Sequence, residues 1–465
     1  MTQTVGGGVA GLQALLSGTV LGPEHAEYDQ ARRVWNADID RRPAMIARCV
    51  SADDVAAAVT FARAQDLEIA VRGGAHSSSG ASAVDDGLVI DTSALNDVTV
   101  DTRTKRVRVG GGALLGDVDA VTQQHGLAVP SGIVSHTGVA GLTLGGGMGW
   151  LTPRAGLTID HLVSAEIVTA DGRIRRVSDD EYPDLFWAIR GGGGNFGIVT
   201  EFEFALHEAG PIVHVGMLFW DLELGRDVLR LARELIAEGS RDVNIVVAGL
   251  NAPPEPFVPP EHHFTPGYAF LVVGFSGEAE HADVMERARR AVPPLFEFAD
   301  AMPYTGLQSM LDEGNGWGVF CYEKSAYLDG LTDDVIDVVT DFVPQKTSPQ
   351  SAVLFYRLDG AYSEVAEDAT AFGGDRRPRL AVFCNAITGT AEQLPAEREW
   401  ARRFLTSLGP HTANLGGYLN AMSDLRHDSV LATYGQEKYD RLSRVKHKYD
   451  PDNVFHRNVN ITPQA

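Results

Sequence analysis

The stretch "VRGGAHSSSG", residues 71–80, sets a single imidazole, His76, among glycines and small hydroxyl side chains. An apolar run ending in Val71 leads into Arg72, Gly73, Gly74 and Ala75, and three serines and Gly80 follow the histidine. A strand that enters a turn without bulky side chains lets a large group come close to the backbone. Upstream, "MIARCV" (45–50) reads as a strand, and "SADDVAAAVTFARAQD" (51–66) as a helix with Ser51 as N-cap. Downstream, "GLVIDTSAL" (87–95), "DVTVD" (97–101) and "KRVRVGGG" (105–112) are expected to add strands to one mixed sheet. "SAEIVTADGRIRRVS" (164–178) is a hairpin, because Asp171-Gly172 separates two alternating runs.

After residue 208 the texture changes. "HVGMLFWDL" (214–222), "DVNIVVAGL" (242–250), "YAFLVVGFS" (268–276) and "RLAVFCNAI" (379–387) are spaced for an antiparallel sheet backed by helices. From Ala421 on, one helix is expected in "GQEKYDRLSRVKHKYD" (435–450), followed by an extended tail. The chain thus divides into residues 1–207 (core 42–207), 208–420 and 421–465.

With 465 residues and 44% hydrophobic content, the chain can bury a large core. Its net charge of −23 argues against a nucleic-acid partner, whose phosphates need Lys and Arg. Cys49, Cys321 and Cys384 have no C-x-x-C spacing, so neither a disulfide framework nor a thiolate metal site is expected. The first twenty residues lack the basic start of a signal peptide, and no charge-free run has membrane-spanning length. A cytoplasmic protein without a membrane partner is the expectation.

"GGGNFG" (192–197) satisfies the dinucleotide pattern G-x-G-x-x-G, but in the wrong context. That motif needs a strand before it and a helix N-terminus after it, to face a pyrophosphate. Here a helical run, "YPDLFWAIR", precedes it and a strand-like run, "GIVTEFEFAL", follows. "PSGIVSHTGVAGLTLGGGMGWL" (130–151) is more informative: it is nearly uncharged and rich in glycine, suited to buried backbone beside a large ligand. Templates for a serine hydrolase, a zinc peptidase and a phosphate loop are missing, and the adjacent His262 and His263 read as solvated loop residues rather than metal ligands.

Taken in order, "AVRGGAHSSSGAS" (70–82), "DDGLVIDTSALN" (85–96), the 130–151 segment, "YPDLFWAIRGGGGNFGIVTEFEF" (182–204) and "YDPDNVFHRNVNI" (449–461) resemble one family. It is the FAD-linked oxidases of the vanillyl-alcohol oxidase superfamily, in their berberine-bridge-enzyme-like bacterial branch. The resemblance implies an α+β protein with a two-subdomain PCMH-type FAD-binding domain and an antiparallel substrate domain backed by helices. It implies FAD bonded through its 8α-methyl to His76. Many relatives add a cysteine link just before the G-V-x-G turn; that position here is Val134, so a single histidyl link is expected.

By the same resemblance, Arg72, Gly73, Gly74, Ala75 and Ser77 would face the pyrophosphate. Gly138, Gly141, Thr143, Gly146 and Gly147 would line the cofactor, with Ile198 and Val199 on the adenine side and Asn458 and Asn460 returning to the flavin. An Asp-Asn-Leu triplet common in relatives reads Asp160-His161-Leu162, which removes the asparagine contact. Tyr418 in "GGYLNAM" is the candidate base and Asn420 its orienting neighbour. Thr137 would lie at the reactive edge of the flavin, with His136 a weaker candidate and Tyr356 the fallback proton acceptor. The function implied is oxidation of a polyketide-like or other secondary metabolite, with O2 as oxidant. A sugar or amine oxidase, or a cyclase with a non-redox flavin, are the alternatives.

Overall fold

The computed structural model describes residues 8–412, 416–424 and 427–464. Around His76 lie β1 (Thr19–Leu21), β2 (Met45–Arg48), β3 (Ile69–Arg72) and β4 (Leu88–Asp91), in the order β1-β2-β4-β3. β2, β4 and β3 run parallel, so the chain needs a crossover from β2 to β3. The helix Ala52–Ala64 makes it, and the Ser51 hydroxyl accepts the Asp54 N–H at 3.1 Å, as the N-cap reading expects.

A second sheet holds β5 (Val98–Asp101), β6 (Arg106–Gly110), β8 (Leu162–Val168), β9 (Ile174–Ser178) and β10 (Ile198–Ala205). Its order is β5-β6-β10-β8-β9 and all its pairs are antiparallel, with the expected β8–β9 hairpin turning at Gly172. The strands expected in one mixed sheet are therefore split between two. Alternation identifies a strand and its inward face, but the partner of β6 is β10, far along the chain. Val107 and Val109 of β6 and Phe202 and Phe204 of β10 share a core with the helices Pro183–Ile189 and Gln436–Tyr449. A short ribbon pairs β7 (Leu127–Ala128) with β11 (His207–Glu208).

The third sheet has seven antiparallel strands: β12 (Ile212–Asp221), β13 (Val243–Asn251), β14 (Pro266–Gly274), β15 (Phe296–Pro303), β16 (Phe320–Leu328), β17 (Ala352–Leu358) and β18 (Arg379–Thr388). Their order is β15-β12-β14-β13-β17-β18-β16, three strands more than the sequence reading named. One face packs on the helices Gly225–Glu238, Glu278–Ala291, Asp333–Phe342 and Leu394–Leu408 through residues such as Trp220, Phe270, Phe355 and Val382. The other face, with Val246, Tyr327, Tyr356 and Ala381, turns towards the glycine-rich segment.

In the C-terminal segment a further helix, His427–Tyr434, precedes the expected one. Its sequence is a poor helix former, and packing of Val430 and Tyr434 into the core holds it. The tail docks on the 192–197 turn. Asn195 Nδ2 donates to the Val459 carbonyl (2.9 Å) and its Oδ1 accepts the Ile461 N–H (2.9 Å). Fully buried Lys446 donates to the carbonyls of Asn195 (2.7 Å) and Phe455 (2.9 Å) and pairs with Asp450 (2.6 Å). A side chain at Gly197, at φ +152°, would put its Cβ 2.4 Å from the Val168 carbonyl oxygen. The glycines of this turn therefore serve close packing and docking of the tail.

Candidate active site

A cavity of about 370 Å³ lies where the glycine-rich segments meet the seven-stranded sheet. His76 sits on its wall, just after Ala75, whose φ is +52°. The imidazole stacks on Trp35 (centroids 4.5 Å apart, planes 16° apart), and its Nε2 lies 3.2 Å from His136 Nδ1. Burial, reinforced by His136, lowers the His76 pKa to about 3, so the ring is a neutral nitrogen base in ordinary conditions. His136, the weaker candidate from sequence, is thus in direct contact with His76, and its own Nε2 is buried without a partner.

Two glycines let the loop and the 130–151 segment cross. A Cβ on Gly74 would fall 2.3 Å from the Gly138 nitrogen, and one on Gly138 would fall 2.4 Å from the Gly74 nitrogen. Gly141 faces open space, and a Cβ on Gly193 or Gly194 would meet nothing closer than 3.7 and 3.9 Å respectively. Side chains there would fill the cavity. Ser82 Oγ and Asn458 Oδ1, both on the wall, are buried without protein partners. Kept space, backbone exposed at glycines and orphaned polar atoms fit a large polar cofactor such as FAD.

Across the cavity the Tyr418 hydroxyl accepts the Gly147 N–H (2.9 Å) and an amide hydrogen of Asn420 (3.0 Å). Asn420 also donates to the Leu142 carbonyl at 3.0 Å, which fixes its orientation. Burial raises the Tyr418 pKa, and donors from Gly147, Asn420 and Met148 work against that rise. The resting group is a neutral phenol. Both bonds end on its oxygen, so its own proton is free for an acceptor in the cavity. Its ring lies parallel to Phe383 (5.6 Å, 3°), and Phe383 in turn touches Tyr356 (4.9 Å).

Of the residues singled out in the sequence, Gly73, Gly74, Ala75, His76, Ser77, Thr137, Gly138, Gly141, Ile198, Val199, Tyr418, Asn420 and Asn458 all lie on the wall. Arg72, Thr143, Gly146, Gly147 and Asn460 do not. The Arg72 side chain turns to the Arg33 carbonyl and to Asp91, 3.7 Å away. Gly146 sits under Phe372, where a Cβ would be 2.7 Å from the ring. Gly147 acts on Tyr418 through its N–H, while Thr143 and Asn460 each carry a buried, unpartnered side-chain oxygen. Asp160 forms a buried pair with Arg376 (2.7 Å), and His161 turns to the Ala155 carbonyl and His207, away from the cavity. Val134 lines the wall, whereas Cys49, Cys321 and Cys384 are buried off it. Among the described residues no group of three His, Cys, Asp or Glu is placed to hold a metal, and the His263 ring bonds the Val258 carbonyl (3.1 Å).

The sequence reading missed Glu323, on β16. It is the one carboxylate on the wall among the described residues, and burial raises its pKa to about 7. It also missed Asn36, whose amide donates to the carbonyls of Ser78 and Cys321 (both 2.9 Å) and whose oxygen accepts the Cys321 N–H (2.9 Å). Asn36 thereby ties the His76 loop to β16. Strand parity through Cys321, Glu323 and Ser325 was the available signal, but β16 was not read as a strand.

A neutral imidazole and a phenol on one glycine-walled cavity, under an antiparallel sheet, fit a flavin-dependent oxidoreductase of the PCMH type. The chain belongs to the berberine-bridge-enzyme-like FAD-linked oxidoreductases. Residues 43–178 match the FAD binding domain family and residues 417–462 the berberine and berberine-like family. An FAD-linked oxidoreductase of Dictyostelium discoideum is 31% identical over 451 residues, covering 96% of this chain and 95% of that protein. The (R)-6-hydroxynicotine oxidase of Paenarthrobacter nicotinovorans is 31% identical over 97% of this chain and 98% of its own. The crystal structure of 6-hydroxy-D-nicotine oxidase from Arthrobacter nicotinovorans superposes with a TM-score of 0.86 at 29% identity, covering 97% of this chain and 98% of that one.

Proposed function

We propose that this FAD-linked oxidoreductase is an oxidase that carries FAD on a single bond to His76 and oxidises a small aromatic secondary metabolite, polyketide-like in its flat body, with O2 as final electron acceptor. Bound FAD supplies a hydride acceptor at N5. His76, neutral and stacked on Trp35, is the nucleophile that would hold the cofactor at its 8α carbon. Val134 carries no thiol, so nothing at that position would add a second link. Gly141, Gly193 and Gly194 leave room for the cofactor, and Asn458 offers it an unpaired oxygen.

Tyr418, in the fraction of molecules whose phenol has first released its own proton to solvent, is the group that would take the substrate's proton, and the observation that carries this reading is its paired donors. As a phenolate, its oxygen would keep the hydrogen bonds from Gly147 and Asn420, so the charge would form against donors already aimed at it. The wall formed by Tyr356, Phe383 and Tyr418 suits a flat apolar body. Thr137 would border the same space.

The test is oxygen uptake and peroxide release by the purified protein, with a panel of hydroxylated aromatic compounds and with sugars. Turnover confined to aromatics supports the proposal. Turnover of oligosaccharides alone moves the chain to a sugar oxidase, and product formation without oxygen uptake makes it a cyclase.

A further inference from the structure

Glu323 has no role in the chemistry described above, yet it occupies the wall of the same cavity. It lies on β16 in register with Asn385 of β18, so both side chains share the face that meets the FAD domain. Asn385 Oδ1 is buried and unpartnered. Two residues on, Ser325 bonds the Tyr418 carbonyl (2.9 Å), which sets β16 close to the Tyr418 segment. The backbone N–H of Glu323 donates to Ser423 Oγ (2.9 Å), fixing the strand there.

The groups that face this carboxylate are the Ser78 hydroxyl, the Tyr356 phenol and, on its own strand, the Cys321 thiol. None is a cation. Lys324 points to the opposite face, towards Asp424 (3.9 Å), and Arg457, the other charged side chain on the wall, bonds Glu68 instead (3.2 Å). His76 is neutral. With hydroxyl neighbours but no cation beside it, this carboxylate is costly when ionised.

We propose that Glu323 is the anchor for a basic nitrogen on the substrate, so that the cavity selects protonated amines with a flat apolar body over neutral compounds of the same shape. This rests on the cavity being the substrate site of the proposed oxidase. The ammonium supplies the missing countercharge and the aromatic wall takes the ring. Free Glu323, its pKa raised to about 7 by burial, is ionised above that pH and pairs with the ammonium; below it the anchor is protonated and the pair is lost.

The probes are 4-(dimethylaminomethyl)phenol and its carbon isostere 4-isobutylphenol. Each is titrated into the flavin-loaded protein under anaerobic conditions, with heat and flavin absorbance recorded together. At mildly alkaline pH the amine is expected to bind roughly 10- to 100-fold more tightly than the isostere, the range of a charge-assisted bond. Glu323→Gln should erase that preference without weakening the isostere, and Glu323→Asp should keep most of it. In the unmodified protein the preference should fade as pH drops through about 7. No preference in the unmodified protein, or a preference that survives in Glu323→Gln, overturns the proposal. If Glu323→Gln does not fold, the pH series decides alone: a preference that does not fade with falling pH overturns the proposal. A colourless protein that still prefers the amine speaks against the flavin reading and leaves the Glu323 inference standing.

Discussion

At the scale of single residues, His76 and Tyr418 face the same space and carry opposite demands. Burial keeps the imidazole neutral, which a nucleophile needs, so FAD should remain with the protein after acid precipitation. His76→Ala is expected to release all flavin into the acid supernatant while the unfolding temperature stays near that of the parent. Intact-mass spectra of both proteins check this. Burial acts against Tyr418 by raising its pKa, and the donors from Gly147, Asn420 and Met148 offset part of the rise. Tyr418→Phe should bind flavin and substrate but slow anaerobic flavin reduction by ~10²–10⁴-fold, the usual cost of a lost general base. Because the folded-state pKa is raised, the reduction rate should climb with pH through the neutral range. Asn420→Ala removes one donor from the phenol oxygen, so the same climb should move to higher pH; stopped-flow pH profiles report both effects.

At the scale of elements, the turn 192–197 and the tail 450–461 stand or fall together. Lys446 and Asp450 are both fully buried, and Lys446 also holds two carbonyls, one on each side of the junction. Lys446→Met fits the space but leaves Asp450 as an unpaired buried charge, a loss of about 3–5 kcal/mol in comparable cases. The expected result is a clearly lower midpoint in urea, with flavin lost early in the transition because Gly193, Gly194 and Asn458 line the cavity. Lys446→Met and Asp450→Leu together should recover part of the loss, since no unpaired charge then remains.

Across the whole molecule, the segments that wall the cavity and the region of the seven-stranded sheet are joined by buried polar contacts. Asn36 is one, and Asp119 is another. The Asp119 carboxylate, on the helix Leu115–Thr122, accepts a hydrogen bond from Gln308 (3.0 Å) on the helix Tyr304–Ser309, and Gln308 also donates to the Gly132 carbonyl on the cavity wall (3.1 Å). Burial raises the Asp119 pKa from 3.8 to about 7. A carboxyl with a raised folded-state pKa holds its proton in the native state while the unfolded chain has lost it. Stability therefore falls as pH rises between about 3.8 and about 7, and the penalty is fully present above that window. Asp119→Asn removes the ionisation and should raise the unfolding temperature at pH above 7, while leaving it nearly unchanged at acid pH. Melts across the pH series measure the difference in slope.

Much of this protein was legible in its amino-acid order. Local rules mark the Ser51 cap, the Asp171-Gly172 hairpin and the alternating strands, because each depends on a few adjacent residues. The glycine-rich segments point to a large bound cofactor, since backbone approach needs small residues wherever the chain goes afterwards, and the resemblance carried by the motif around His76 implies that it is a flavin. Only the tertiary structure decided which strands pair, because sheet partners such as β6 and β10 are chosen by long-range burial of two inward faces. The same holds for His136 against His76, for Asn36 bridging to Cys321, and for Glu323 on the cavity wall. Their side chains are ordinary in sequence. Their chemistry comes from burial and from neighbours that arrive from distant parts of the chain, and single-residue identity carries neither.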